Sequence, residues 1–137
     1  LEREPNQSFD VLVIDAFSGD SIPMHLLTLD AVAVYLRHLK PNGVLVLDST
    51  LVNQRANRTD IREIALPAKD VAAELGFTQI ANMVMIGALI GATNVVRVET
   101  VEKILEERIG ARHRDALEPN KCALARGAAF VTQKLAA

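Results

Sequence analysis

The chain has 137 residues, half of them hydrophobic, with 15 basic and 17 acidic side chains and a net charge of -2. This balance gives no electrostatic basis for binding nucleic acid. A single cysteine, Cys122, excludes an internal disulfide, a zinc site built from cysteines, and an iron–sulfur cluster held by this chain alone. We recognise no leader and no membrane-spanning segment, so we expect a cytoplasmic protein; the start at Leu1 is consistent with a trimmed longer chain.

Two apolar runs in the first third of the chain predict parallel strands. Residues 9–15 and 44–48 are continuously apolar beside acidic residues, which is the pattern of strands buried on both faces. Between them, Thr28 predicts a helix N-cap, and the turn-forming run 40–43 predicts the end of that helix. After a polar connection, residues 61–66 alternate weakly and predict a third strand at the sheet edge.

The rest of the chain predicts mainly helices. Pro67 suits the first position of a helix that closes at Gly76. Residues 98–109 are strongly amphipathic, and a final helix is predicted over residues 115–134. The element order predicts an α/β class: a partial Rossmann-like three-layer fold with a mostly parallel sheet and a helical C-terminal tail, in a single domain over residues 1–137.

An uncharged run over residues 80–93 is the most unusual segment. It is shorter than the roughly 20 residues that a bilayer requires, so it predicts a buried helix. Gly87 and Gly91 lie on one face of that helix and would let another backbone come close. Asn82 is interpreted as its N-cap, with contact to a ligand or partner as the alternative. We expect the helix to dock against a sheet or a partner chain.

Polar residues that follow the first two strands are the candidate ligand-binding groups. Asp15 and Asp20 flank the loop after the first strand, and Asp48 and Ser49 close the second, at the strand ends where open α/β sheets bind ligands. Paired carboxylates accept protons or bind cations, but such residues are more often turn formers that bond nearby backbone. The histidines have no spacing typical of a metal site, and Cys122 is interpreted as a small buried apolar group.

From about residue 41 to residue 133 the chain resembles the gamma subunit or domain of the 2-oxoacid:acceptor oxidoreductases, which act on pyruvate and other ketoacids with ferredoxin. The matching segments are Gly43–Val52, Ile64–Gly76, Ala81–Leu89, Val101–Arg108 and the pattern Asn120-Lys121-x-Ala123-Leu124-x-x-Gly127. The resemblance implies a non-catalytic accessory role through packing against other subunits. It also implies thiamine diphosphate, iron–sulfur clusters and coenzyme A in the parent complex, with no cofactor bound by this chain alone.

Residues 1–43 resemble a different family. The segment Phe9–Thr28 is similar to spermidine-synthase-like members of the class I methyltransferase fold, in which Asp15 would match the proton-accepting acid. The glycine motif and the ribose-binding acid of that family are absent. The two resemblances suggest a chimera spliced near residues 40–43, with residues 44–137 as the gamma-like part.

Three functional hypotheses therefore stand after the sequence. The first is a gamma-type accessory domain, the second an aminopropyltransferase or methyltransferase fragment with Asp15 as base, and the third a chimeric folding module without activity. The apolar composition also predicts a homo-oligomer that associates through an exposed sheet edge or apolar helix.

Overall fold

The computed structural model describes residues 2–14, 28–52, 55–109 and 111–136. In chain order the elements are β1 (Phe9–Ile14), α1 (Leu29–Arg37), β2 (Leu39–Asp48), β3 (Arg62–Leu66), α2 (Ala68–Glu74), α3 (Ala81–Thr93), α4 (Val98–Arg108) and α5 (Leu117–Ala136). Short 3₁₀ segments precede α3 and α5, at Thr78–Ile80 and Ala111–Ala116. The predicted α/β class with a helical C-terminal part is confirmed.

The contacts of the chain cluster into two units, residues 1–65 and 66–137, with the boundary inside β3. The first unit contains the strands and α1, and the second contains α2 to α5. The prediction of one domain over residues 1–137 stays a prediction. Among the helices that the structure describes, none is both long and apolar enough to span a membrane.

The described sheet has three strands in the order β1-β2-β3, and β1 and β2 run parallel. Their register is irregular at the start, because Phe9 pairs with Leu39 whereas Val11 pairs with Val44. The intervening residues of β2 loop out around Asn42, which has φ 64°. The run 40–43 was predicted to stop α1, but it is an excursion within a strand, and α1 has already ended at Arg37.

The start of α1 agrees with the sequence. Thr28 is its N-cap, and the Thr28 side chain accepts a hydrogen bond from the backbone N–H of Ala31 at 3.2 Å. This bond satisfies one of the amide groups that the first turn of a helix leaves unpaired.

Burial differs between the first two strands. In β2, Leu45, Val46 and Leu47 are at most 1% exposed, as predicted for a strand covered on both faces. In β1, Val11 and Val13 are 36% and 41% exposed. The prediction of burial on both faces is therefore wrong for β1, because it lies at an edge of the described sheet and one face of it is open. The core of the first unit consists of Ile14, Val32, Leu39, Leu45, Leu47, Val52 and Ala65.

Helix α2 begins one residue later than predicted, with Pro67 as its N-cap rather than its first helical residue. Its end is closed by a Schellman motif: Gly76 at φ 83° donates to the carbonyl of Ala73, and Phe77 donates to that of Ala72. Glycine adopts this left-handed conformation without the steric penalty that a Cβ would bring.

Helices α4 and α5 lie close to the predicted bounds. Helix α4 is amphipathic as expected, but none of its residues is fully buried, and Ile104 is 50% exposed. Helix α5 presents a buried face to the second unit, formed by Ala123, Leu124, Gly127 and Val131.

Candidate functional site

The predicted ligand-binding residues at the strand ends are only partly within the described structure. Asp15 and Asp20 lie outside the described residues. Asp48, at the end of β2, is 1% exposed, and its Oδ1 accepts the backbone N–H of Thr50 at 2.9 Å. The carbonyl of Asp48 accepts the N–H groups of Leu51 and Val52. Ser49 is half-buried in the same turn. The geometry is therefore that of a turn-forming aspartate, the alternative that the sequence left open.

No described cluster of acids, histidines and cysteine has the arrangement to hold a metal ion, over residues 2–14, 28–52, 55–109 and 111–136. His38 is fully buried, and its Nδ1 accepts the backbone N–H of Gln7 at 3.2 Å. Its ring lies 6.1 Å from that of Phe9. Cys122, predicted to be buried, is exposed, because it lies beside rather than on the buried face of α5.

The uncharged helix α3 carries the main structural contact of the second unit. A Cβ at Gly87 would overlap the carbonyl oxygen of Leu124 on α5 and lie 3.1 Å from the backbone nitrogen of Ala128. A Cβ at Gly91 would lie 2.8 Å from the carbonyl oxygen of Ala128. Because real Cβ atoms do not approach backbone this closely, these two positions admit only glycine without displacement of α5.

The contact is reciprocal. A Cβ at Gly127 of α5 would overlap the carbonyl oxygen of Val84 and lie 2.9 Å from the nitrogen of Ala88, both on α3. Gly87 and Gly91 therefore pack against a helix of the same chain, rather than against a sheet or a partner chain. A ligand or partner contact at these two glycines has no free surface to use.

The opposite side of α3 holds the residues that remain accessible. Asn82 and Ile86 are exposed, whereas Leu89 and Thr93 are half-buried. Their spacing of four, three and four residues places them on one stripe of the helix. We call Asn82, Ile86, Leu89 and Thr93 the α3 stripe. It is extended at the C-terminal end of α3 by Val95, which is 74% exposed.

Asn82 does not cap α3. The helix begins at Ala81, and Ile80 is its N-cap without a side-chain hydrogen bond. Asn82 lies within the first turn, where its Oδ1 accepts the N–H of Met83 at 2.9 Å. The preceding 3₁₀ segment moves the helix start ahead of Asn82, and no propensity pattern in the sequence announced it.

Ion pairs on the helices are located at the surface. Lys121 of α5 donates to Glu106 of α4 at 2.5 Å, and this hydrogen bond raises the pKa of Lys121. Arg126 of α5 bonds Glu74 of α2 at 2.7 Å. Exposed pairs of this kind contribute little to stability, so they help to set helix orientation rather than to form a reactive site.

The packing partner of α3 was missed at the sequence level. The signal was present in Ala123, Gly127 and Ala128, which put small residues on one face of α5 at spacings compatible with close helix contact. Spacing alone marks a face for close approach but does not identify the face that meets it.

A family model described as pyruvate ferredoxin/flavodoxin oxidoreductase matches residues 18–130. Among curated proteins, the 2-oxoglutarate synthase subunit KorC of Methanothermobacter marburgensis is 38% identical over 85 residues, which cover 58% of this chain and 46% of that protein. The same subunit from Methanothermobacter thermautotrophicus is 33% identical over 85 residues, with 58% and 45% covered. The chain thus spans less than half the length of these curated relatives.

Solved structures give the same picture. The gamma subunit of the keto/oxoacid ferredoxin oxidoreductase of Geobacter sulfurreducens matches with a TM-score of 0.69 and 29% identity, over 93% of this chain and 65% of that chain. The 2-oxoglutarate:ferredoxin oxidoreductase of Magnetococcus marinus, with 2-oxoglutarate, coenzyme A and succinyl-CoA bound, matches with a TM-score of 0.69 and 22% identity, over 93% and 20%. This second likeness concerns the fold alone.

The comparisons also bear on the predicted splice. The family match begins at residue 18 and runs as one range through residues 40–43. It therefore gives no support to a junction there, nor to a separate synthase-like origin for residues 1–43.

Proposed function

Because the chain belongs to the pyruvate ferredoxin/flavodoxin oxidoreductase family, we propose that it is the gamma-type accessory part of a 2-oxoacid:acceptor oxidoreductase. The observation that carries the proposal is the match over residues 18–130, supported by the 0.69 TM-score to a gamma subunit over 93% of the chain. The parent enzyme would oxidatively decarboxylate a 2-oxoacid onto coenzyme A in the cytoplasm.

In this proposal the chain supplies packing surface and no reacting group. An iron–sulfur cluster is held by several cysteine thiolates, and this chain has one cysteine. The described residues also contain no metal-binding group of acids and histidines. The clusters and the thiamine diphosphate of the parent enzyme would therefore be held by other subunits or domains.

The surface that we assign to subunit packing is the α3 stripe with Val95. The glycine face of α3 is occupied by α5, so the stripe is the side of α3 that remains accessible. Ile86 is 39% exposed and Val95 is 74% exposed, and exposed apolar side chains close together are typical of protein interfaces. A neighbouring subunit would cover them and remove their apolar area from water.

Co-expression tests the function directly. The tagged chain would be produced together with the thiamine- and cluster-bearing subunits of its source organism and then purified. We expect these subunits to co-purify with the chain in a fixed ratio. A chain that is folded by circular dichroism and captures none of them would contradict the gamma-type function.

A matched pair of variants tests the surface separately. Ile86→Lys adds a charge to the α3 stripe, and Ala125→Lys adds the same charge to an exposed position on α5. We expect Ile86→Lys to weaken subunit capture about tenfold or more, since a buried unpaired charge at an interface is strongly unfavourable. Equal capture by the two variants would discard the α3 stripe as the contact while leaving the gamma-type function intact.

A further inference from the structure

One face of β1 is uncovered in a way that the subunit role of the α3 stripe does not explain. Val11 and Val13 are 36% and 41% exposed. Their register neighbours on β2 share the same sheet face, and of these Val44 is half-buried and Val46 is 0% exposed. Exposure of this face thus rises towards the outer edge of β1, as expected where the next strand of a sheet is missing.

The outer edge of β1 presents backbone groups in a defined pattern. The N–H of Phe9 donates to the carbonyl of His38 at 2.7 Å, so the backbone of Phe9 faces β2. Because strand backbones alternate in direction, the N–H and C=O groups of Asp10, Leu12 and Ile14 face away from β2. No strand in the described part of the chain pairs with that side.

The usual protection of an edge strand is also weak here. Edge strands are commonly shielded by charges, proline or bulges that oppose further pairing. The single charge in β1 is that of Asp10, which forms an ion pair with Lys40 of β2. The net charge of the whole chain is only -2, so two copies repel each other little.

The geometry points to a second copy of this chain as the occupant of this edge, with the two β1 strands paired antiparallel about a two-fold axis at Leu12. In that register each outward-facing residue meets another: Leu12 meets its own equivalent, and Asp10 meets Ile14. Val11 then lies opposite Val13 in the closely spaced type of pair, with about 4.5 Å between Cα atoms. The four valines form one continuous apolar strip.

This arrangement closes on itself, because each chain uses its one β1 edge and the two-fold axis leaves none free. The strand has six residues and is about 20 Å long. A single strand pair of this length is smaller than the roughly 800 Å² per partner of a standard stable interface. The dimer is therefore reversible and dependent on concentration.

Sedimentation velocity of the 137-residue chain at increasing concentration tests this inference. Val13→Lys places a charge at the edge, and Ile104→Lys places the same charge at another exposed apolar residue, on α4. We expect the wild type and Ile104→Lys to shift from monomer to dimer alike, and Val13→Lys to associate at least about tenfold more weakly. Circular dichroism checks that each variant is folded.

A chain that stays monomeric at every concentration would overturn the proposal, even if another subunit binds β1. Dimerisation of Val13→Lys as strong as that of the wild type would overturn it as well, as would an equal loss in Ile104→Lys.

Cross-linking tests the register. In a Cys122→Ser background, chains carrying Val11→Cys are mixed with chains carrying Val13→Cys and oxidised. The proposed pair of Cα atoms lies within the 4.4–6.8 Å range of disulfides, roughly, so we expect the mixture to cross-link faster than either variant alone. Equal rates in all three samples would exclude the register centred on Leu12.

Discussion

The two units of the chain bury their apolar segments by different means. In the second unit, α3 meets α5 through Gly87, Gly91 and Gly127, so backbone packs directly on backbone. In the first unit, β2 is enclosed by aliphatic side chains, while polar contacts such as that of Arg58 fasten the surrounding chain. A contact between backbones has no side chain that can rotate away, whereas a side-chain core has some freedom to adjust. The two units should therefore respond differently to small changes.

The largest effect is expected from a single added methyl group in the second unit. In Gly87→Ala the new Cβ would overlap the carbonyl oxygen of Leu124, and α5 would have to move. Overpacking costs typically about 1–3 kcal/mol and at times more, against a gain of about 1 kcal/mol in helix propensity. We expect a net loss of about 2–3 kcal/mol in the free energy of unfolding, measured with urea.

Gly91→Ala is the matched control for this prediction. Its Cβ would lie 2.8 Å from the carbonyl oxygen of Ala128, a less severe contact, so the loss should be smaller. A Gly87→Ala protein more stable than the wild type would mean that propensity decides and that the helices are not in close contact.

The second effect compares the two strands of the first unit. Leu47 on β2 is 1% exposed, and Leu47→Ala should reduce stability by about 2–4 kcal/mol through the lost apolar contacts and the cavity. Val13 on β1 is 41% exposed, so Val13→Ala should cost about 0.5 kcal/mol in monomer. Urea titrations at low protein concentration separate the two. Similar losses would show that β1 is covered in solution.

A third, moderate effect concerns the polar fastening of the first unit. Arg58 donates through Nη1 to the carbonyls of Leu36 and Leu39, each at 2.7 Å, and forms a two-pronged pair with Asp60. Lysine cannot reproduce this fork, so Arg58→Lys should lower stability by about 1–2 kcal/mol. Arg55→Lys, at an exposed pair with Glu63, should cost less than about 0.5 kcal/mol. An equal loss in both would remove the distinction.

The smallest effect is a dependence on pH. The hydrogen bonds from Arg58 lower the pKa of Asp60 in the folded protein. The stabilising contribution of Asp60 is therefore present above its unfolded pKa of about 3.9 and is lost as the pH falls through the lower folded value. Asp60→Asn should be less stable than the wild type at pH 6, and the difference should shrink below about pH 4. A difference that is constant from pH 6 to pH 3 would contradict this assignment.

Much of the fold could be predicted from local pattern. The N-cap at Thr28, the closure of α2 at Gly76 and the burial of α3 each depend on residues close in sequence. The turn made by Asp48 belongs to the same class, since its side chain bonds an amide two residues ahead.

The remainder depended on neighbours distant in sequence. An apolar run such as that of β1 has the same composition whether one face or two are covered, and only the sheet order reveals the open edge. The run 40–43 consists of turn formers, which end a helix or loop out of a strand equally well. Cys122 lay next to the buried face of α5 rather than on it, a difference of one residue around the helix.

The glycine contact between α3 and α5 also has a consequence for motion. Where backbones interlock, neither helix can fray or unwind at Val84, Ala88 or Gly127 without parting from the other. Amide protons along the contact should therefore exchange with solvent only when the two helices separate together, at one common rate. The pair would behave as one cooperative opening unit, in contrast to the edge of β1, whose outward amides exchange individually.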